Sequence, residues 1–242
     1  MNISQMHQAF KLELDKSNAL EYPAYLPEEI DFWLNKSIKT FVKTRYSGFN
    51  IKKQGFEESQ KRIDDLRSLV MEDQLVPVID TNNTTYLDDI TTYIVDLTTT
   101  TEPYWFNLGE EVAIQYLDCR GVSRERRQFI IETTLNEYAR EIANPFSEYR
   151  LEGGKARPLR LFMGDKVELI TDGNYVPILY YLTYLKKPLE VHYPTTLLPI
   201  PINSDLTEET HDEIITLAVN LALENIESKR TNTQTIMLNK QE

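Results

Sequence analysis

The segment RPLRLFMGDKVELITDGNYVPILYYLTYLKKPLEV, residues 157–191, decides the fold. Gly164-Asp165 separates its first two apolar runs, and Asp172-Gly173-Asn174 separates the next two. Glycine, asparagine and aspartate supply the backbone conformations that tight turns demand. The spacing predicts a three-stranded antiparallel meander. Its last strand, VPILYYLTYL, is apolar on both faces, so it must be central or covered by a neighbour. Upstream, residues 91–100 (TTYIVDLTTT) and 110–119 (EEVAIQYLDC) are rich in β-branched and aromatic residues and read as strands. Thr98, Thr99, Thr100 and Thr101 form a strand end or a loop. One helix is expected within this region, over ERRQFIIETTLNEYAREIANP (125–145), where Ile131, Leu135, Tyr138 and Ile142 recur at helical spacing.

Moving outward, both chain ends are helical. Ile3, Met6, Phe10 and Leu14 share one face, with Asn2 or Ser4 available as N-cap. Pro27, Glu28 and Glu29 open a longer helix, since proline fits the first turn and the acids complement the dipole. Ile30, Trp33, Leu34, Ile38, Phe41 and Val42 form its stripe, and Gly48 marks its stop. A further helix is expected over 57–71. At the other end Ile214, Leu217, Ala218, Leu221, Ala222 and Ile226 form a stripe behind Asp205 or Thr207 as cap. The tail TNTQTIMLNKQE (231–242) has no self-burying period. The fold class is therefore α+β: a helical scaffold from both chain ends with an inserted antiparallel β-rich module. The expected divisions are an N-terminal helical region over 1–73, the module 74–200 with its one helix, a C-terminal helix 201–230 packed on the N-terminal ones, and the extended tail 231–242.

Composition narrows the chemistry. A net charge of -12 over 242 residues is unsuited to gripping a phosphate backbone, which takes clustered Lys and Arg. The single cysteine, Cys119, excludes an intramolecular disulfide, and its strand-end setting reads as a partly buried structural thiol. No apolar run approaches the roughly 20 residues of a membrane span, and the N-terminus lacks a signal-peptide core, so neither membrane insertion nor classical secretion is expected.

Catalytic constellations are missing from the sequence. It has no phosphate loop and no dinucleotide fingerprint; Gly153-Gly154 sits before a strand and reads as a flexible loop. His7, His192 and His211 fall at no metal-ligand spacing, and Asp212 and Glu213 beside His211 are simpler as dipole partners. The acidic pairs Glu28-Glu29, Asp64-Asp65, Asp88-Asp89, Glu110-Glu111 and Glu208-Glu209 could do acid–base work only in a cleft that separates their pKa values. Neither a metal nor a cofactor is expected, and the chain is not expected to be an enzyme. The candidate partner contacts are the basic run Arg120, Arg124, Arg126 and Arg127, the tyrosines Tyr180, Tyr181 and Tyr184, and the apolar tail residues Ile236, Met237 and Leu238. Tyrosine and arginine are favoured at protein interfaces, and the arginines also read as solvated residues of a loop and helix start.

Four segments in order carry a resemblance: EEIDFWLNKSIKTFVKTRYSGFN (28–50), Asn144-Pro145-Phe146, LTYLKKP (182–188) and HDEIITLAVNLALENIESKR (211–230). Together they resemble virion proteins of crAss-like bacteriophages that infect gut Bacteroidales, and more narrowly the ring proteins of the neck. The resemblance implies a head-to-tail connector, a non-enzymatic subunit of a twelvefold ring around the DNA channel. Its implied partners are further copies of itself, the portal protein and other neck or tail proteins. DNA would pass without specific binding, and no membrane contact is implied. The tail would gain order along a neighbouring subunit or ring. Two other readings of the residues stay open: a monomeric binding module using the tyrosine-rich β region, and a hydrolase using paired carboxylates.

Overall fold

The computed structural model describes residues 1–14, 25–47, 55–81, 90–195 and 199–225. The chain divides into two compact units, Met1–Leu69 with Pro188–Glu242, and Val70–Lys187. The first is helical and the second is built on two sheets, which makes the fold α+β.

In the helical unit, α1 (Ile3–Leu14), α2 (Pro27–Tyr46) and α5 (His211–Asn225) pack on one another. Asn2 caps α1 reciprocally: its Oδ1 accepts the Gln5 N–H at 2.9 Å, and its N–H donates to Gln5 Oε1 at 2.9 Å. The expected α1 stripe is buried, with His7 added to it. Leu26 offers no side-chain acceptor to α2, so only the Glu29 half of a capping box forms, Glu29 Oε2 accepting the Leu26 N–H at 2.8 Å. Ile30, Leu34, Ile38 and Val42 are at most 1% exposed. The stripe on α5 is wider than expected. Ile215, Val219 and Leu223 are buried along with Ile214, Ala218 and Ala222, because α1 and α2 cover it from two sides. Leu217 and Leu221 are only half-buried, and Gly48 and Ile226 lie outside the described residues. The helix expected over 57–71 is shorter: α3 spans Gln60–Leu66 between two single 3₁₀ turns. Val70 and Met71 already belong to a strand.

The β unit contains β1 (Val70–Leu75), β2 (Val78–Ile79), β3 (Thr91–Asp96), β4 (Tyr104–Leu117), β5 (Ser123–Phe129), β6 (Ile131–Glu132), α4 (Tyr138–Ala143), β7 (Leu159–Met163), β8 (Lys166–Thr171) and β9 (Tyr175–Lys186). One sheet runs β1-β9-β4-β5 and the other β2-β3-β8-β7-β6; all pairings are antiparallel except β6 with β7. Their facing residues, among them Val112, Ile114, Tyr180 and Leu182 from one sheet and Tyr93, Val95, Val167 and Leu169 from the other, form a shared core. The opposite face of the second sheet carries Leu159, Leu161 and Ile170, packed under Ile142 of α4 and Tyr149.

Four expectations are corrected. The meander is broken at Asp172-Gly173-Asn174: β7 and β8 pair, but β8 then pairs β3, while β9 crosses into the other sheet between β1 and β4. Asp172 pins that turn by accepting the Leu151 N–H at 2.8 Å and the Asn174 N–H at 3.1 Å. The helix over 125–145 is confined to α4, and residues 125–129 extend β5. Cys119 is exposed, in the turn that joins β4 to β5. The expected flexible loop at Gly153-Gly154 is a tight two-residue turn. Both glycines take positive φ, and Glu152 and Lys155 exchange backbone hydrogen bonds at 3.0 Å. The four threonines close a 3₁₀ turn capped by Asp96, whose carboxylate accepts the Thr98 N–H at 2.9 Å. Pro177 is accommodated in β9 where the register with β4 shifts, since a bulge removes the need for its N–H.

Candidate assembly surfaces

The basic run lies on the β4–β5 hairpin. Its turn is built by Asp118, whose Oδ1 accepts the N–H groups of Arg120 at 2.8 Å and Val122 at 3.0 Å. These bonds hold the Asp118 carboxyl below its ordinary pKa. Gly121 completes the turn at φ 74°, a conformation that glycine enters without a Cβ penalty. Beyond it β5 is an edge strand whose residues 123–127 are exposed on both faces. Opposite pairs share a face in an antiparallel ladder. Arg126 and Gln128, across from Ile114 and Val112, therefore lie on the core side, and Arg127 and Phe129, across from Ala113 and Glu111, lie on the outer side. Arg127 pairs with Glu111 and stacks 4.0 Å over the Tyr181 ring, and Arg124 Nε lies 3.3 Å from Asp118 Oδ2. Arg126 faces a cavity of about 620 Å³ lined also by Phe129, Phe146, Glu148, Arg150 and Arg157. Phe146 is 91% exposed.

The tyrosines separate by face. Tyr181 is half-buried on the outer side. Tyr180 and Tyr184 are fully buried, which corrects their reading as contacts: they point into the core of this chain. Tyr184 donates from its hydroxyl to Asp73 Oδ2 at 2.9 Å and accepts the Glu102 N–H at 3.2 Å. Tyr180 sits against Glu110, and its hydroxyl pKa is pushed far up, first by burial and then by that carboxylate. Glu110 in turn faces Arg160 of the opposite sheet, 3.2 Å from its Nε, both side chains being 5% exposed. Burial raises the Glu110 pKa and the guanidinium partly offsets it. Arg160 also reaches Glu132 at 2.6 Å, so one cation ties β4, β6 and β7. The tail residues Ile236, Met237 and Leu238 lie outside the described residues.

The helical unit holds polar anchors that periodicity does not announce. Asp31, 6% exposed on α2, accepts from His7 Nε2 at 2.7 Å and from the Tyr193 N–H at 2.9 Å, with His192 Nδ1 at 3.3 Å. One turn on, Asn35 grips Val191 through both its backbone groups, donating to the carbonyl at 3.0 Å and accepting the N–H at 2.8 Å. Burial lowers the His7 pKa more than Asp31 raises it, and burial likewise lowers that of His211. Beside the clamp a groove of about 630 Å³ is lined by Phe32, Val191, Ile200 and Ile202. At the other end of α2, Arg45 is 3% exposed between Asp65, at 3.0 Å, and Glu213, which Lys61 also meets at 2.7 Å.

Chemically these groups hold structure together. Among the described residues no group of three or more His, Cys, Asp or Glu is placed to hold a metal ion. Among them, too, no helix is long and apolar enough to cross a membrane. What the surface offers is open sheet edges, arginines and scattered exposed apolar side chains. Comparison with curated proteins yields no match. A family profile described as phage tail ring protein 3/4, of the crAss-like group, matches residues 1–235. With nearly the whole chain covered by that match, the protein belongs to the crAss-like phage tail ring protein 3/4 family, a family of structural phage proteins.

Proposed function

We propose that the chain is one subunit of a closed twelvefold ring in the phage neck, between the portal protein and the tail, around the channel through which DNA passes. The observation that carries this reading is the family match over residues 1–235. The physical character of the chain supports it. Closed rings need heterologous contacts, one face of a subunit against a different face of the next, and the two edges of the β1-β9-β4-β5 sheet are unlike in charge. To the tail, 231–242, the same proposal gives a contact with the neighbouring subunit or the next ring.

Native mass spectrometry and imaging of the assembled particle test the reading. A ring of this chain, at one copy per portal subunit, is the expected result. A strictly monomeric state in the particle overturns it in favour of a module that binds a single partner. Truncation after Arg230 is expected to spare ring closure and weaken stacking on the next ring. Undisturbed stacking would remove the role given to the tail.

A further inference from the structure

The two edges of the first sheet are complementary in more than net charge. One edge is β5, SRERRQF; the other is β1, VMEDQL. Asp118 donates its N–H to Val122 O at 2.9 Å, which fixes which groups of the hairpin face inward. Alternation along the antiparallel ladder then points the N–H and C=O of Glu125, Arg127 and Phe129 away from β4. The same alternation, carried through Val112–Tyr180 to β9, turns the backbone groups of Tyr180, Leu182 and Tyr184 toward β1. Their partners Leu75, Asp73 and Met71 face β9. Val70, Glu72 and Gln74 therefore present their backbone groups to the open side.

We infer that β1 of one copy adds to β5 of the next, continuing the sheet from subunit to subunit. Four strands of alternating direction set β1 and β5 antiparallel to one another. A neighbour that keeps the orientation of its predecessor thus brings its β1 up antiparallel to β5. One register satisfies every constraint at once. With Glu72 opposite Arg127, Asp73 falls opposite Arg126, Val70 opposite Phe129 and Gln74 opposite Glu125. In this register the outward-facing backbone groups meet each other, and each pair lies on a common face of the sheet. Opposite charges face each other twice, and an apolar pair closes one end. Slipping by two residues, the smallest slip that keeps the faces, sets Glu72 against Glu125 in one direction and against Phe129 in the other. Arg126 and Glu72 make no ion pair within the chain among the described residues, so each can add to a partner already held inside its own subunit: Asp73, which accepts from Thr101 at 2.7 Å and Tyr184 at 2.9 Å, and Arg127, which pairs with Glu111. The arginines also blunt β5 against unspecific strand addition, as charged edges do, while leaving it suited to an acidic strand.

This inference rests on the ring reading and adds its joint. The test places cysteines at Gln74 and Glu125 in a chain whose exposed Cys119 is replaced by serine, and oxidises assembled particles. A ladder of covalent multiples reaching the full ring is expected. Shifting one cysteine to Arg124, on the opposite face, is expected to abolish the ladder. In parallel, Glu72→Arg is expected to weaken self-association by about tenfold or more, and adding Arg127→Glu to restore it. Rings that form but yield no ladder, and that tolerate Glu72→Arg, overturn the β1–β5 joint and leave the ring reading standing. A ladder that stops at dimers, with Glu125→Cys alone giving the same product, identifies a twofold β5–β5 contact and also overturns it. Wild-type chain that is monomeric in the particle overturns the ring reading itself.

Discussion

Removing the Asp31 carboxylate leaves His7 Nε2 and the Tyr193 N–H without their shared acceptor inside the helical unit. Buried hydrogen bonds to a charged group contribute about 1.5–3 kcal/mol each, so Asp31→Ala is expected to cost about 3 kcal/mol in urea unfolding. A loss below about 1 kcal/mol would show that water replaces the carboxylate. The pH dependence of His7 has a definite sign. Its folded pKa lies below the ordinary 6.5, chiefly through burial. The stability from its neutral form is therefore fully present above about 6.5 and is lost as pH falls from there through the folded value. Glu110 acts the other way, since its raised pKa favours the fold at low pH and loses that contribution as pH rises. A double difference isolates the histidine: between pH 7.5 and 5.5 the wild type should lose more stability than His7→Gln, which keeps a donor for Asp31. Equal losses would reject the assignment. None of this was legible in the chain. Asp31 reads as one more polar residue on an amphipathic helix, and its partners lie 24 and 162 positions away.

Helix α2 illustrates what periodicity does supply. Its stripe was readable residue by residue, and the packing consequences follow: Leu34 is 0% exposed and Phe32, two positions earlier, is 59% exposed. Leu34→Ala is expected to cost about 2–5 kcal/mol and Phe32→Ala under about 1 kcal/mol, measured as shifts in the denaturation midpoint. Equal costs would place the stripe on another face. Periodicity failed where no face is buried. Residues 123–127 of β5 are exposed on both sides, so they show neither alternation nor a helical stripe, and Ile131, Leu135, Tyr138 and Ile142 suggested a helix by spacing alone. Only the Asp118–Gly121 turn marked the hairpin. The Asp172-Gly173-Asn174 turn was recognised as a turn, but its chemistry does not state which strand the next one will join. A hairpin and a crossing between sheets need the same left-handed glycine, here φ 76°. The twelve residues of β9 run along the fourteen of β4, a longer ladder than the six residues of β8 could offer.

At the scale of the molecule, the α+β class and the helical character of both ends followed from patterning, while the contact surface did not, because an interface is written in edges and charges rather than in a buried period. The net charge of -12 disfavours a grip on the phosphate backbone. Free or assembled, the chain is expected to pass a DNA-cellulose column without retention at about 0.15 M salt, and tight retention would reject that reading. The discontinuity of the helical unit has a further consequence for synthesis. The β unit is complete once Lys187 has been made, but α1 and α2 must wait for α5, which begins at His211. At about 5–20 residues per second, the stripe of α2 stays without its main partner for roughly 10–30 s after leaving the ribosome. Nascent chains truncated before residue 211 should therefore be the ones that chaperones capture, and the β unit should already resist protease on them.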